Sequence, residues 1–304
     1  MPNPNATSNG DTDEARLGAD SLSFSKNVTI RGGMDFMQCR CFQVFGAYYI
    51  GSGEINPKNS PFSIDNDLNG AQLGINLGLG SAFLATFYYN FNRGEIYYDE
   101  KSNNSKTHLA GVGLRYNTNG FYFSLLGNYG LDSYDLVARN GRSVDYDGWQ
   151  AGGSFETGYM MPTVGLFTLK PFGNWQYSYL KSDGFDRRAV ALRNESLKYD
   201  ALFQTLGARI DVDLSLVNLQ GRIGWVHQYL EGSPINTFWF SRNPGTYTPT
   251  QCFYEGDSGR DFFWGGLGLK VSLFGLMAAN IDYDILVNTY QTTHFASAGL
   301  LFSF

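Results

Sequence analysis

Asp282 and Asp284 lie two positions apart in an otherwise oily run, Met277-Ala-Ala-Asn-Ile-Asp-Tyr-Asp-Ile-Leu-Val287. In a strand, alternate side chains share a face. Both carboxylates therefore look the same way as Asn280 and Asn288, away from Met277, Ala279, Ile281, Tyr283, Ile285 and Val287. Carboxylates repeated along an apolar strand must face water. A second charged set has the matching sign. Arg209 and Arg222 lie about equally far from a turn near residue 215, which places them opposite each other across two strands. Lys270, expected at similar depth on the next strand, extends this basic group, and Arg115 shares its facing. Like charges opposed on a ladder are destabilising, so carboxylates are expected beside them, with Glu156, Asp211, Asp282 and Asp284 as candidates. Two chemistries fit: a field acting on what passes or docks beside these residues, or an ion-pair network that holds shape.

The three histidines, His108, His227 and His294, have the opposite facing, so no catalytic triad forms among the charged residues. Ser52 and His294 make a conceivable pair with no third member or oxyanion donor, and enzymatic activity is not expected. No phosphate loop, His/Glu zinc pattern or calcium loop occurs, so no cofactor and no metal site is expected. Cys39 and Cys41, two apart on one face, are awkwardly placed for a disulfide. Cys252 is distant in sequence, and all three read as structural or incidental thiols. A net charge of -6 argues against a nucleic-acid partner.

The elements that hold these residues share one pattern. The final residues alternate Ala296, Ala298, Leu300, Phe302 and Phe304 against Ser297, Gly299 and Ser303, and the chain stops on the aromatic. Residues 69–79 alternate Ala71, Leu73, Ile75, Leu77 and Leu79 against Gln72, Gly74, Asn76 and Gly78. The same period of two recurs over residues 40–52, 82–97, 106–117, 121–137, 145–161, 166–183, 198–213, 217–230, 260–273 and 276–288, giving twelve expected strands with 292–304. Aromatics reach 16% and charged residues only 16%, against a usual ~25% charged. No window approaches the ~20 apolar residues of a spanning helix. An oily face opposite an amide, glycine and charged face, on strand after strand, predicts an all-β fold: an up-and-down antiparallel transmembrane barrel, oily side to outer-membrane lipid and polar side to a lumen.

Connections near 80, 118, 162, 215 and 274 are short, while 53–67, 184–197 and 231–257 read as long loops. This matches short periplasmic turns and longer extracellular loops. Outward Tyr116, Phe121, Phe123, Phe302 and Phe304 at one end, and Tyr89, Phe91, Trp149, Tyr177, Trp225 and Tyr229 at the other, form two girdles. Inward glycines at 74, 78, 111, 113, 152, 158, 266 and 268 either leave lumenal space or permit curvature and close strand approach. Residues 1–38 differ in composition and read as a linker or pore-entry segment, followed by a barrel over 39–304. The N-terminus has no basic or apolar leader region, so an exported barrel of this sequence is expected to have lost its signal peptide.

From about residue 40 onward the chain resembles the translocator domain of autotransporters, the type V secretion system. Leu169-Lys-Pro-Phe-Gly-Asn-Trp-Gln-Tyr-Ser-Tyr179 is similar to the family's Pro-aromatic strand. Leu206-Gly-Ala-Arg209 resembles its Leu-Gly-x-Arg segment, Trp225-Val-His227 its Trp-x-His strand, and Gly299-Leu-Leu-Phe-Ser-Phe304 its closing strand. The resemblance implies a monomeric twelve-stranded barrel in the outer membrane of a Gram-negative or other diderm bacterium. It implies insertion by the outer-membrane barrel assembly machinery, with Phe304, Phe302 and Leu300 as the C-terminal assembly signal. It also implies export or anchoring of an N-terminal passenger, and a helix in the pore before the first strand, where this sequence offers at most a short helix over 11–20 broken by Gly18. The alternative function is a stand-alone porin, channel or structural barrel.

The sidedness has a direct test. Cysteine replacing Asn280, Asp282 or Asp284 is expected to react with a small hydrophilic thiol reagent in the membrane-embedded protein, and cysteine replacing Ile281 or Tyr283 is not. Equal reactivity at both parities refutes a water-facing interior.

Overall fold

The computed structural model describes residues 42–56, 63–80, 82–98, 101–137, 143–183, 185–187, 192–194, 197–231, 236–243, 246–252, 260–273 and 276–304. The segment 1–38, with Cys39 and Cys41 beyond it, lies outside the described residues. Twelve strands close into one antiparallel barrel: β1 (Phe42–Ile55), β2 (Ile64–Leu79), β3 (Phe83–Tyr98), β4 (Lys101–Thr118), β5 (Phe121–Val137), β6 (Ser143–Tyr159), β7 (Phe167–Ser182), β10 (Leu197–Asp213), β11 (Val217–Glu231), β14 (Asp261–Leu273), β15 (Met277–Val287) and β16 (Gln291–Ser303). Each pairs with its neighbours in the sequence of barrel strands, and β1 closes on β16 from Gln43 opposite Ser303 to Ile55 opposite Gln291.

The hairpin turns follow from residue type. Asn119 and Gly120 take φ of 47° and 84° between β4 and β5, the paired left-handed conformation that matches strand twist in a two-residue hairpin. The C-terminus ties back to the start of the barrel, where the Phe304 N–H donates to the Phe42 carbonyl at 2.9 Å. The beginning of β1 therefore lies at the end that carries the short turns.

The structure departs from the sequence expectation beyond the bilayer. β2 begins at Ile64 rather than 69, and β4 at Lys101 rather than 106. Asp65, Asp67 and residues 101–105 read as loop residues by polarity, yet the ladder continues through them, with Asp67 opposite Glu95 and Ser105 opposite Gly94. Strands of 16 to 18 residues exceed the ~9–11 that cross a bilayer, so the charged ends project above it. The expected loops 184–197 and 231–257 contain β8 (Phe185–Arg187), β9 (Leu192–Asn194), β12 (Asn236–Asn243) and β13 (Thr246–Cys252), paired as a separate four-stranded antiparallel sheet.

Large apolar side chains point outward around the wall, among them Leu73, Phe87, Leu125, Ile223, Leu267 and Ile281, all exposed. The inward face is also well filled. Rings from one strand lie over glycines of the next, so that a Cβ on Gly158 would come within 2.6 Å of the Tyr122 ring, and one on Gly70 equally close to Tyr49. Phe45 occupies the recess at Gly74, Tyr88 that at Gly111, Phe172 that at Gly207 and Trp264 that at Gly224. At Gly74, Gly111 and Gly158 the missing side chain is thus room for a neighbour's ring, which is the close-approach role of a strand glycine.

Gly111→Ala would drive its methyl group into the Tyr88 ring and to 2.7 Å from the Gly127 carbonyl. It is expected to lower unfolding stability in detergent and urea by about 1–3 kcal/mol. At Gly127, where an added Cβ meets nothing within 4 Å, the alanine variant is expected to stay within about 0.5 kcal/mol of the parent. Equal effects at the two positions would contradict the packing described.

Candidate functional site

The inward charged residues gather on the wall from β4 to β15. The sequence places Arg209 opposite Arg222, and the register does so. It also sets Lys170 opposite Arg209 on the other side, so three cations stand in a row across β7, β10 and β11. Their mutual repulsion is offset because each has a carboxylate in reach.

Each arginine reaches over one strand to the next. Arg209 leaves β10, passes over β7 with its guanidinium 4.1 Å from the Phe172 ring centre, and donates to both Glu156 oxygens of β6 at 3.0 and 3.1 Å. Two parallel bonds of this kind hold both partners in fixed orientation. Tyr122 of β5 completes the group: its hydroxyl donates to Glu156 Oε1 at 3.1 Å and accepts from Arg209 Nη1 at 3.1 Å. Arg115 of β4 lies over that same tyrosine ring at 4.6 Å and donates to Asn117 Oδ1 at 3.2 Å. Arg209 and Glu156 are 2% and 5% exposed, so each depends on the other.

Arg222 repeats the geometry from β11. It passes Gly266 of β14, directly opposite it, and pairs with Asp282 at 2.9 Å and Asp284 at 3.3 Å on β15. The glycines make this reach possible, since a Cβ on Gly266 or Gly268 would collide with the Asp284 or Asp282 carboxylate. Trp264 joins the two halves: its ring meets Phe172 edge-on at 5.9 Å, and its Nε1 donates to Asp284 Oδ1 at 3.1 Å. Asp211 pairs with Lys170 and accepts from Gln220 Nε2 at 2.9 Å.

Lys270 does not stand at the depth of Arg222. It lies opposite Asn218 and Asn280, four positions nearer the β14–β15 turn than Gly266. Distance from a turn fixes relative depth only within one hairpin. β11 and β14 belong to different hairpins, and the stagger of a closed barrel shifts them. The sequence reading also passed over Lys170, Phe172 and Trp264 as members of the site. Lys170 shares the inward parity of Phe172, which could have revealed it; the two rings carry no charge to mark them.

The outward histidines have partners near the outer rim. His108 Nδ1 meets the Tyr89 hydroxyl at 2.5 Å, His294 Nδ1 that of Tyr283 at 2.7 Å, and His227 Nδ1 the Asp261 carboxylate at 2.8 Å. Ser52 lies opposite His294 in the register, with the histidine Nδ1 turned to Tyr283. At the opposite end Leu300, Phe302 and Phe304 project outward and exposed.

The family model Autotransporter beta-domain matches residues 44–284. No curated protein sequence matches the chain. Among solved structures, the translocator domain of autotransporter NalP from Neisseria meningitidis superposes with a TM-score of 0.73 at 18% identity, over 95% of this chain and all of that one. The beta domain of the Bordetella autotransporter BrkA gives 0.67 at 15% identity, over 87% of this chain and 100% of its own. The transport unit of AIDA-I from Escherichia coli gives 0.66 at 12%, over 94% and 99%. At such identities the likeness is one of fold.

Glu156→Leu leaves Arg209 buried without its counter-charge and is expected to cost about 3–5 kcal/mol of barrel stability. Adding Arg209→Met is expected to recover most of that loss, because an uncharged pair of similar volume needs no compensation. Unfolding of the purified barrel measures both, and a double variant no more stable than the single would overturn the pairing.

Proposed function

Because this chain belongs to the autotransporter β-domain family, matched over residues 44–284, we propose that its barrel carries a polypeptide joined to its N-terminus across the outer membrane of a Gram-negative bacterium and anchors it there. The barrel is the membrane-embedded part, and the family is one of translocator barrels rather than of enzymes. One observation carries the reading: β1 begins at the short-turn end, tied to Phe304. A polypeptide preceding Phe42 therefore meets the barrel at its periplasmic mouth, beside the lumen it must traverse.

The charged wall serves this role as a fixed support. Lys170, Arg209 and Arg222 pair with carboxylates on the adjoining strand or the next one over rather than standing apart across the lumen, so their fields largely cancel at a distance. A wall of interlocked ion pairs keeps the passage open and its outline constant while the cargo changes. Outward Leu300, Phe302 and Phe304 provide the exposed C-terminal strand by which the assembly machinery would recognise the unfolded barrel, and the folded protein needs no second copy to cover an edge.

The test joins a signal peptide and an epitope-tagged passenger to residue 1. Protease added outside intact cells is expected to remove the tag while the barrel stays in the outer-membrane fraction. A tag that remains protected in the periplasm, behind a correctly inserted barrel, would overturn the reading.

A further inference from the structure

Just beyond the oily wall, the outward face of β3 and β4 carries a pair of cations. Arg93 and Lys106 stand directly opposite each other in the register, and both are exposed. The two-residue period gives them the facing of Tyr89 and Phe91 on β3 and of His108 and Ala110 on β4, which is the lipid side. Arg93 lies two residues, about 6–7 Å along the strand, past Phe91. The pair therefore stands at the outer edge of the aromatic girdle, where hydrocarbon gives way to head groups.

Two features set the pair apart. Like charges directly opposed on a ladder repel, and no ion pair among the described residues includes either one. Inside the barrel the same arrangement, Arg209 opposite Arg222, is offset by carboxylates within reach of each arginine. Outside, Glu95 is the next outward residue of β3, and it already accepts a hydrogen bond from the Tyr97 hydroxyl. The Arg93 guanidinium lies instead 5.5 Å from the centre of the Phe91 ring, a cation–π contact that keeps it at the level of the girdle. The sign of the pair is also a local exception. The chain has a net charge of -6, and the outward positions just beyond the wall on β1, β2, β5 and β6 are acidic or neutral, among them Glu54, Asp67, Asp135 and Asp147.

We infer that Arg93 and Lys106 bind the phosphate of a lipid in the outer leaflet, which in a Gram-negative outer membrane is a phosphorylated glycolipid. An anion placed between the two cations replaces their repulsion with attraction to both. The guanidinium fork matches two phosphate oxygens, and the ammonium adds a point charge from the facing strand. Below the pair on the same two strands, exposed Phe87 and Val112 stand opposite each other and give the acyl chains of that lipid a surface to lie on. Asp67 opposite Glu95, one row farther out, repels a phosphate that would ride higher, so the face selects depth as well as charge. The inference needs the barrel in the outer membrane and nothing of its cargo, so loss of passenger export would leave it standing.

Lipid retention tests it. The full chain is purified from outer membranes in mild detergent, and native mass spectrometry counts the phosphorylated glycolipid carried by each barrel. Arg93→Gln with Lys106→Gln is expected to carry several-fold less than the parent, whereas Asp67→Asn, which alters the same surface without removing a cation, is expected to carry at least as much. Delipidated parent protein is expected to bind diphosphorylated lipid A several-fold more tightly than the same lipid stripped of its phosphates, with millimolar inorganic phosphate failing to displace it. Undiminished retention in a double variant that is folded by heat-modifiable gel mobility overturns the site, as does an equal loss in Asp67→Asn. If the double variant does not fold, the comparison of the two lipids on the parent decides alone, and equal binding of both refutes the inference. Displacement by inorganic phosphate would overturn a lipid as the occupant.

Discussion

A chain that crosses lipid with strands has to leave no main-chain group unpaired, because hydrocarbon offers nothing to bond it. The pairing of β1 with β16, from Gln43 and Ser303 to Ile55 and Gln291, meets that demand, and other features of the molecule depend on it. Closure gives the sheet an inside and an outside. Period-two alternation then places oily residues against lipid and polar ones in the lumen. The same seam brings Phe304 to Phe42, which sets where the chain before β1 meets the barrel.

Inside, the constraint changes from pairing main chain to filling space. Rings from one strand occupy glycine recesses on the next, as Tyr122 does at Gly158 and Phe172 at Gly207. These contacts lock neighbouring strands against sliding, which matters in a barrel, where a slip of one residue would turn every side chain to the wrong medium. Phe172 is both filler and platform, since it fits its recess and carries the Arg209 guanidinium over β7 to Glu156. Packing and charge pairing on this wall are therefore one structure.

The lumen that results is chemically uneven. On the wall from β4 to β15, Lys170, Arg209 and Arg222 each have a carboxylate partner on the wall itself. On β1–β3 the buried inward polar residues are uncharged, among them Gln72, Asn90 and Asn92.

Strand number, sidedness and hairpin positions were legible in the sequence because they depend on period and local turn chemistry. Met277 to Val287 alone, with aspartates at every second place, separates lipid face from lumen face, and Asn119-Gly120 names its turn. The strand extensions through Asp65, Asp67 and Asn104 were not legible, since polar residues above the bilayer look like loop whether or not the ladder continues. Nor were the short strands within 184–197 and 231–257, where no bilayer imposes the alternation. The sequence by itself determined which residues face which medium, because a two-residue period converts directly into direction. Only the tertiary structure decided which of them meet: Arg209 reaches Glu156 across a strand, Arg222 reaches Asp282 and Asp284 over Gly266, and Lys270 falls at a different depth. Those contacts depend on the stagger between hairpins, a property of the closed barrel rather than of any one strand.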